Sequence, residues 1–202
     1  MNSLIIYIHG KGGSAHEAEH YFSVFPEDKV AGFDYQSATP WEAQKEFQNF
    51  FDAVSRGYDK VYIIANSIGA FFTIYSLGDR RIKKAFFISP VVNMGKLISD
   101  MLLWSGSNEN ELKAQKEIHT SFGETLSWEY LEWVRNHPVQ WDVPTEILYG
   151  SEDNLQSYET IKSFAEKFDA NITVMKNGEH WFHTDEQMEF LDSWLKQVIK
   201  SD

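Results

Sequence analysis

Val61-Tyr62-Ile63-Ile64-Ala65-Asn66-Ser67-Ile68-Gly69-Ala70 sets a β-branched, apolar run directly before a serine flanked by small residues, and a helix-like run follows. This is the layout of a nucleophile elbow, a sharp strand-to-helix turn that lifts one hydroxyl clear of a sheet. The turn needs small side chains two before and two after the serine, because strand and helix nearly touch there. Ala65 and Gly69 meet that need. Glycine is usual at both places, so Ala65 is a departure. The same residues also fit a helix that opens with Ser67 as its N-cap. The rest of the chain bears on the choice.

Upstream, Leu4-Ile5-Ile6-Tyr7-Ile8 reads as a buried strand, apolar on both faces as in a parallel sheet. It runs into His9-Gly10-Lys11-Gly12-Gly13-Ser14, whose glycines permit a tight turn with N–H groups pointing one way. Such a loop suits an oxyanion or a phosphate. It lacks the Gly-Lys-Ser/Thr ending of a P-loop and the G-x-G-x-x-G spacing of a dinucleotide site. His16-Glu17-Ala18-Glu19-His20 then matches H-E-x-x-H, in which two His ligands and a general-base Glu serve a zinc ion. Its flanks are polar and no third ligand is evident on an adjoining helix. The expectation is therefore no metal, and an acidic, solvated first turn favoured by the helix dipole.

Short apolar strands and amphipathic helices alternate from there. Val30 to Tyr35 is a strand, and Thr39-Pro40 opens a helix with Thr39 as N-cap and Pro40 at its first position. Lys60 to Ala65 is the third strand, Ile68 to Leu77 a helix, and Lys84 to Ser89 the fourth strand. From about 91 to 142 the rhythm breaks into what reads as helices with turns at Gly106 and Gly123. That stretch holds Trp104, Trp128, Trp133 and Trp141, expected mostly to fill its own small core. An inserted helical cap over the sheet's carboxyl edge would look like this. The alternation resumes with a strand at Thr145–Gly150, a helix from about Tyr158 to Phe168, a strand at Asn171–Met175 and a helix from Asp185 to Ile199. The expected fold class is α/β: a three-layer α/β/α sandwich on a mostly parallel sheet of about six strands.

Three loops at the carboxyl ends of these strands carry Ser67, Asp153 and His180, and sites form at that edge of an open α/β sheet. A serine hydroxyl is a poor nucleophile at neutral pH. It needs an imidazole to take its proton and a carboxylate to hold the imidazole's tautomer. Glu152 competes with Asp153 for the acid role, and His183 with His180 for the base. The amides of Lys11 and Ile68 are the candidate oxyanion donors. His9, Asn66 and Trp181 are possible pocket residues.

In this order, His9-Gly10, the elbow, Tyr149-Gly150 to Asp153 and Gly178-x-His180 resemble the α/β-hydrolase superfamily, in particular its small, single-domain esterase-like members. The resemblance covers almost the whole chain. It implies an acid after the penultimate strand, at Asp153, and a base after the last strand, at His180. The family's usual first two strands would be missing, which leaves a minimal sheet. The cap would sit where the family commonly inserts one. The expected function is a serine hydrolase that cleaves carboxylic esters of small to medium substrates through an acyl-enzyme, without a cofactor. A peptidase, thioesterase or lactonase on the same scaffold, or a non-catalytic protein retaining the fold, are the alternatives.

Composition narrows the partners. With 202 residues and 43% hydrophobic content, the chain fits one globular domain. A net charge of −12 repels nucleic-acid phosphates and anionic lipid, so a small-molecule substrate is expected rather than either. There is no Cys, which excludes disulfides and a cysteine nucleophile. Met1-Asn2-Ser3-Leu4 has no basic n-region, so the cytoplasm is the expected location.

Overall fold

A computed structural model describes residues 2–199. Residues 2–92 and 140–199 form one compact unit, and Asn93–Val139 forms a second.

The first unit is built on six parallel strands: β1 (Ser3–Ile8), β2 (Lys29–Phe33), β3 (Lys60–Asn66), β4 (Lys84–Ile88), β7 (Thr145–Gly150) and β8 (Asn171–Met175). They lie in the order β2-β1-β3-β4-β7-β8, every neighbouring pair parallel. The chain goes out from β1 to β2 and returns on the other side of β1 as β3. The direction of winding therefore reverses between β1 and β3, which opens a crevice at their carboxyl ends. The glycine-rich loop follows β1 and Ser67 follows β3, so sequence order alone brings both to that crevice.

Alternation along the strands divides the core. Ile5 and Tyr7 of β1, Tyr62 and Ile64 of β3 and Phe86 and Ile88 of β4 share one face. A 3-10 helix at Ala15–Phe22 and helix α7 (Asp185–Val198) cover it through Ala18, Tyr21, Leu191, Trp194 and Leu195. On the other face, helix α2 (Ile68–Leu77) comes so close that a Cβ on Gly69 would lie 3.0 Å from Ile8 Cγ2. Helix α1 (Pro40–Val54) starts as its sequence directs. Thr39 accepts from the Glu42 amide, and the Glu42 carboxylate accepts from the Thr39 amide at 3.2 Å. Helix α6 (Tyr158–Phe168) joins β7 to β8.

The second unit holds α3 (Met94–Trp104), α4 (Glu109–Gln115), an antiparallel hairpin of β5 (Glu117–His119) and β6 (Thr125–Ser127), and α5 (Trp128–Asn136). The sequence suggests helices alone here, and the hairpin corrects that. Its strands have three residues each, too few to show a period of two. The turn at Gly123 is where expected, with φ +89°. The tryptophans also differ from expectation. Trp141 belongs to the first unit, packed on Phe87 with its indole N–H on Thr145 Oγ1 at 2.8 Å. Trp104 is exposed, and the buried side chains of the second unit are mainly leucines and Ile98. Among the described residues no helix is long and apolar enough to cross a membrane.

Candidate active site

Ser67 occupies the turn between β3 and α2 at φ 50°, ψ −120°, a region that L residues rarely adopt. The turn is fixed from outside: the Ser67 amide donates to Ile88 O at 3.1 Å, and Ser67 O accepts from the Val91 amide at 3.0 Å. Gly69 must be glycine, because a Cβ there would collide with the carbonyl oxygen of His9. Ala65 is fully buried, paired with Ile8 on one side and Phe87 on the other. The hydroxyl makes no capping bond to its own helix. It lies instead 2.8 Å from His180 Nε2, so the elbow describes this turn and the N-cap does not.

The loops after β7 and β8 are held together before any side chain is considered. The Glu152 amide donates to Gly178 O at 2.8 Å, and the Asp153 amide to Gly150 O at 3.0 Å. Gly150 packs so tightly on the other loop that a Cβ would strike Gly178 O. This contact brings Asp153 Oδ2 to 2.7 Å from His180 Nδ1. Asp153 Oδ1 accepts from the amides of Leu155 (2.8 Å) and Gln156 (3.1 Å). The Asp153 side chain is fully buried and that of His180 is 15% exposed. A carboxylate can only accept, so Nδ1 carries the proton and the bare Nε2 faces the serine. The competing residues do not join this line. Glu152 is exposed, and His183 directs Nδ1 to Trp181 O at 2.7 Å. A serine, an imidazole and a buried carboxylate in line can move a proton away from the hydroxyl as it attacks.

The glycine-rich loop passes beside the hydroxyl. A Cβ on Gly10 would lie 3.2 Å from Ser67 Cβ, and the Gly13 amide closes the loop on Gly10 O at 3.2 Å. Lys11 follows Gly10 and lines the cavity at Ser67. Ile68 opens α2, whose first N–H groups have no acceptor within the helix. His9 differs from expectation, since it is not among the cavity's lining residues. Its ring is buried, stacks on Tyr35 at 4.3 Å and directs Nδ1 to Gly10 O at 2.7 Å. It braces the loop from behind. Asn66 and Trp181 are among the residues that line the cavity.

Solved structures resemble this architecture over nearly the whole chain. Est1E from Butyrivibrio proteoclasticus matches with TM-score 0.81 and 17% identity, over 99% of this chain and 88% of that one. Mouse α/β hydrolase domain-containing protein 10 matches with TM-score 0.78 and 14% identity, over 98% and 90%. A Pyrococcus furiosus esterase matches with TM-score 0.65 and 17% identity, over 99% and 82%. The chain has the α/β-hydrolase fold. No protein-family model matches it, and neither does any curated protein by sequence. Ser67, Asp153 and His180 follow one another in the order that the α/β-hydrolase fold uses for its serine, acid and histidine.

A cavity of about 750 Å³ opens at Ser67 and His180. Its walls include the glycine-rich loop, Ile88, Leu155, Phe182, Met188 and Leu191. The sequence did not reveal that Tyr7 and Glu17 share this cavity. The Tyr7 hydroxyl donates to Glu17 Oε2 and accepts from Asn66 Nδ2 at 2.9 Å. The one available signal was a phenol in an otherwise aliphatic strand. Burial pushes the Tyr7 hydroxyl well above its ordinary value of 10, with Tyr21 and Glu17 adding to the effect. Tyr21 moves the same way, first by burial and then through Glu17 and Asp192.

The H-E-x-x-H segment forms the 3-10 helix, where three residues make a turn and i, i+4 side chains do not share a face. His16 is exposed, while His20 Nε2 meets Asp192 Oδ1 at 2.7 Å. Among the described residues no three His, Cys, Asp or Glu side chains are grouped to hold a metal ion.

Proposed function

We propose that the protein is a serine hydrolase that cleaves carboxylic esters of small to medium substrates. Ser67 Oγ attacks the carbonyl carbon while its proton passes to His180 Nε2. Asp153 holds the ring's tautomer and offsets the charge it gains. The amides of Lys11 and Ile68 stabilise the oxyanion, and a donor of this kind contributes roughly 10²–10³ in rate. As the intermediate collapses, the bond to the alcohol oxygen breaks and His180 returns the proton to that oxygen. Water then attacks the acyl-enzyme, with His180 again taking a proton, and the acid leaves Ser67. The reaction balances with water as the sole co-reactant.

The observation that carries this function is the unbroken line from Ser67 Oγ through His180 to buried Asp153, at 2.8 and 2.7 Å. The cavity beside it has a volume in the range of small-molecule sites. The esterases among the fold's relatives point the same way. The chain works as one hydrolase domain, interrupted in sequence by the inserted segment. It acts in the cytoplasm.

A series of p-nitrophenyl esters of increasing acyl length tests the function. The wild type is expected to turn over the shorter members, with loss of about 10⁴-fold or more in Ser67→Ala. Turnover that survives the substitution would exclude Ser67 as the nucleophile.

A further inference from the structure

The line from Ser67 to Asp153 is assembled from two halves. Asp153 and His180 sit on the loops after β7 and β8, which grip each other through the Glu152 amide and Gly178 O. Ser67 is held by the segment after β4, where the Val91 amide donates to Ser67 O at 3.0 Å. The ladder between β4 and β7 pairs Ile88 with Leu148, and the Ser89 amide reaches Leu148 O at 2.9 Å. Asp153 lies beyond that point in the chain, so the ladder does not set its distance from Ser67.

Gln156 spans the gap. It is 1% exposed, and each of its polar groups meets a partner. Its amide donates to Asp153 Oδ1 at 3.1 Å, and its carbonyl accepts from the Tyr149 hydroxyl at 3.1 Å. Side-chain Nε2 donates to Leu155 O at 3.1 Å, and Oε1 accepts from the Val92 amide at 3.1 Å. Leu155 in turn donates its amide to Asp153 Oδ1 at 2.8 Å and lines the cavity at Ser67. Hydrogen bonds therefore run from the buried carboxylate through Gln156 to Val92, the residue after the one that holds Ser67. A glutamine bonded at both ends of its side chain gives up its rotamer freedom, and the turn at 153–156 is fixed to the end of β4. The chemistry depends on that alignment. Asp153 Oδ2 keeps the proton on His180 Nδ1, and a displaced carboxylate would release the ring to the other tautomer, whose Nε2–H cannot accept from the serine.

We propose that Gln156 is a positioning residue of this site: its side chain ties the turn that carries Asp153 to the segment that holds Ser67, and so keeps Nε2 of His180 bare. The proposal rests on the serine-hydrolase reading and goes beyond it by naming the residue that joins its two halves.

Gln156→Met keeps the length and loses both side-chain bonds. With p-nitrophenyl butyrate, kcat is expected to fall by about 10–100-fold while KM stays within about twofold, because the alignment is disturbed and the cavity is not. The fall is smaller than in Asp153→Asn, since the carboxylate remains. Long-range proton–nitrogen correlation spectra of the neutral His180 ring are the second readout, assigned by their loss in His180→Ala. Wild type is expected to show Nδ1–H alone, and Gln156→Met a mixture of tautomers. A folded variant with kcat or tautomer unchanged overturns the proposal and leaves the hydrolase function standing. So does a mixture already present in wild type, or a rise in KM alone, which would make Gln156 a support of the cavity wall. If wild type hydrolyses no ester, the hydrolase reading fails, and the tautomer by itself decides the tie. If Gln156→Met does not fold, hydrogen exchange in wild type decides. The Val91, Val92, Leu155 and Gln156 amides are expected to share one protection factor, and a spread above about tenfold overturns the tie.

Discussion

Ser67 is held at φ 50° by hydrogen bonds from both flanks, and a side chain in that conformation costs about 1–3 kcal/mol. Glycine adopts it without strain. Ser67→Gly is therefore expected to be about 1 kcal/mol more stable than Ser67→Ala in urea denaturation, although both lack the hydroxyl. Equal midpoints would mean that the turn is unstrained. Asp153 gives a second expectation. Asn in its place keeps the Oδ1 bonds to Leu155 and Gln156 but loses the charge that faces His180. Ester turnover should fall by about 10³–10⁴-fold in Asp153→Asn with little change in melting temperature. The neighbouring Glu152→Gln should change turnover by less than about twofold, since that side chain is exposed. At this scale the sequence was informative where chemistry demands particular residue types at strand ends. It was silent on Tyr7 and Glu17, because a hydrogen bond between a strand and a later 3-10 helix leaves no spacing to read.

Among the elements, the contact between the β7 and β8 loops does the positioning. Gly150→Ala places a methyl against Gly178 O, which is expected to destabilise the fold by about 2 kcal/mol and to lower turnover by parting Asp153 from His180. Unchanged denaturation and activity would show that the loops align by other means. The 3-10 helix and β1 bury two phenols, and this links stability to pH. Folded Tyr7 and Tyr21 hold their protons well above 10, while in the unfolded chain they ionise near 10. Above that value the unfolded state binds fewer protons, so stability is full below pH 10 and declines as pH rises past it. Tyr7→Phe should flatten the decline, as read from urea midpoints at pH values from about 9 to about 11. The six strands were legible because each is a β-branched or aromatic run ended by Gly, Pro or a polar loop. The hairpin in the inserted segment was not, since three-residue strands carry no period. Trp141 was misplaced because composition cannot say on which side of a unit boundary a residue falls.

At the scale of the whole molecule, crossing order does what no single motif could. Reversal between β1 and β3 sets the glycine-rich loop beside the elbow, and adjacency of β7 and β8 sets Asp153 beside His180. Chain order and strand spacing made this legible, whereas nothing in the sequence located the cavity wall built by the 3-10 helix and α7. The inserted unit, Asn93–Val139, is too short to bury much apolar surface alone. Expressed separately it should show little helical circular dichroism, and a cooperative thermal transition would contradict that. Among many serines, the proposed mechanism activates one hydroxyl. Peptide mapping after a fluorophosphonate treatment reads out which one. A single phosphonate adduct is expected on Ser67, absent from Ser67→Ala and strongly slowed in His180→Ala. An adduct elsewhere, or a folded wild type that takes none, would contradict it.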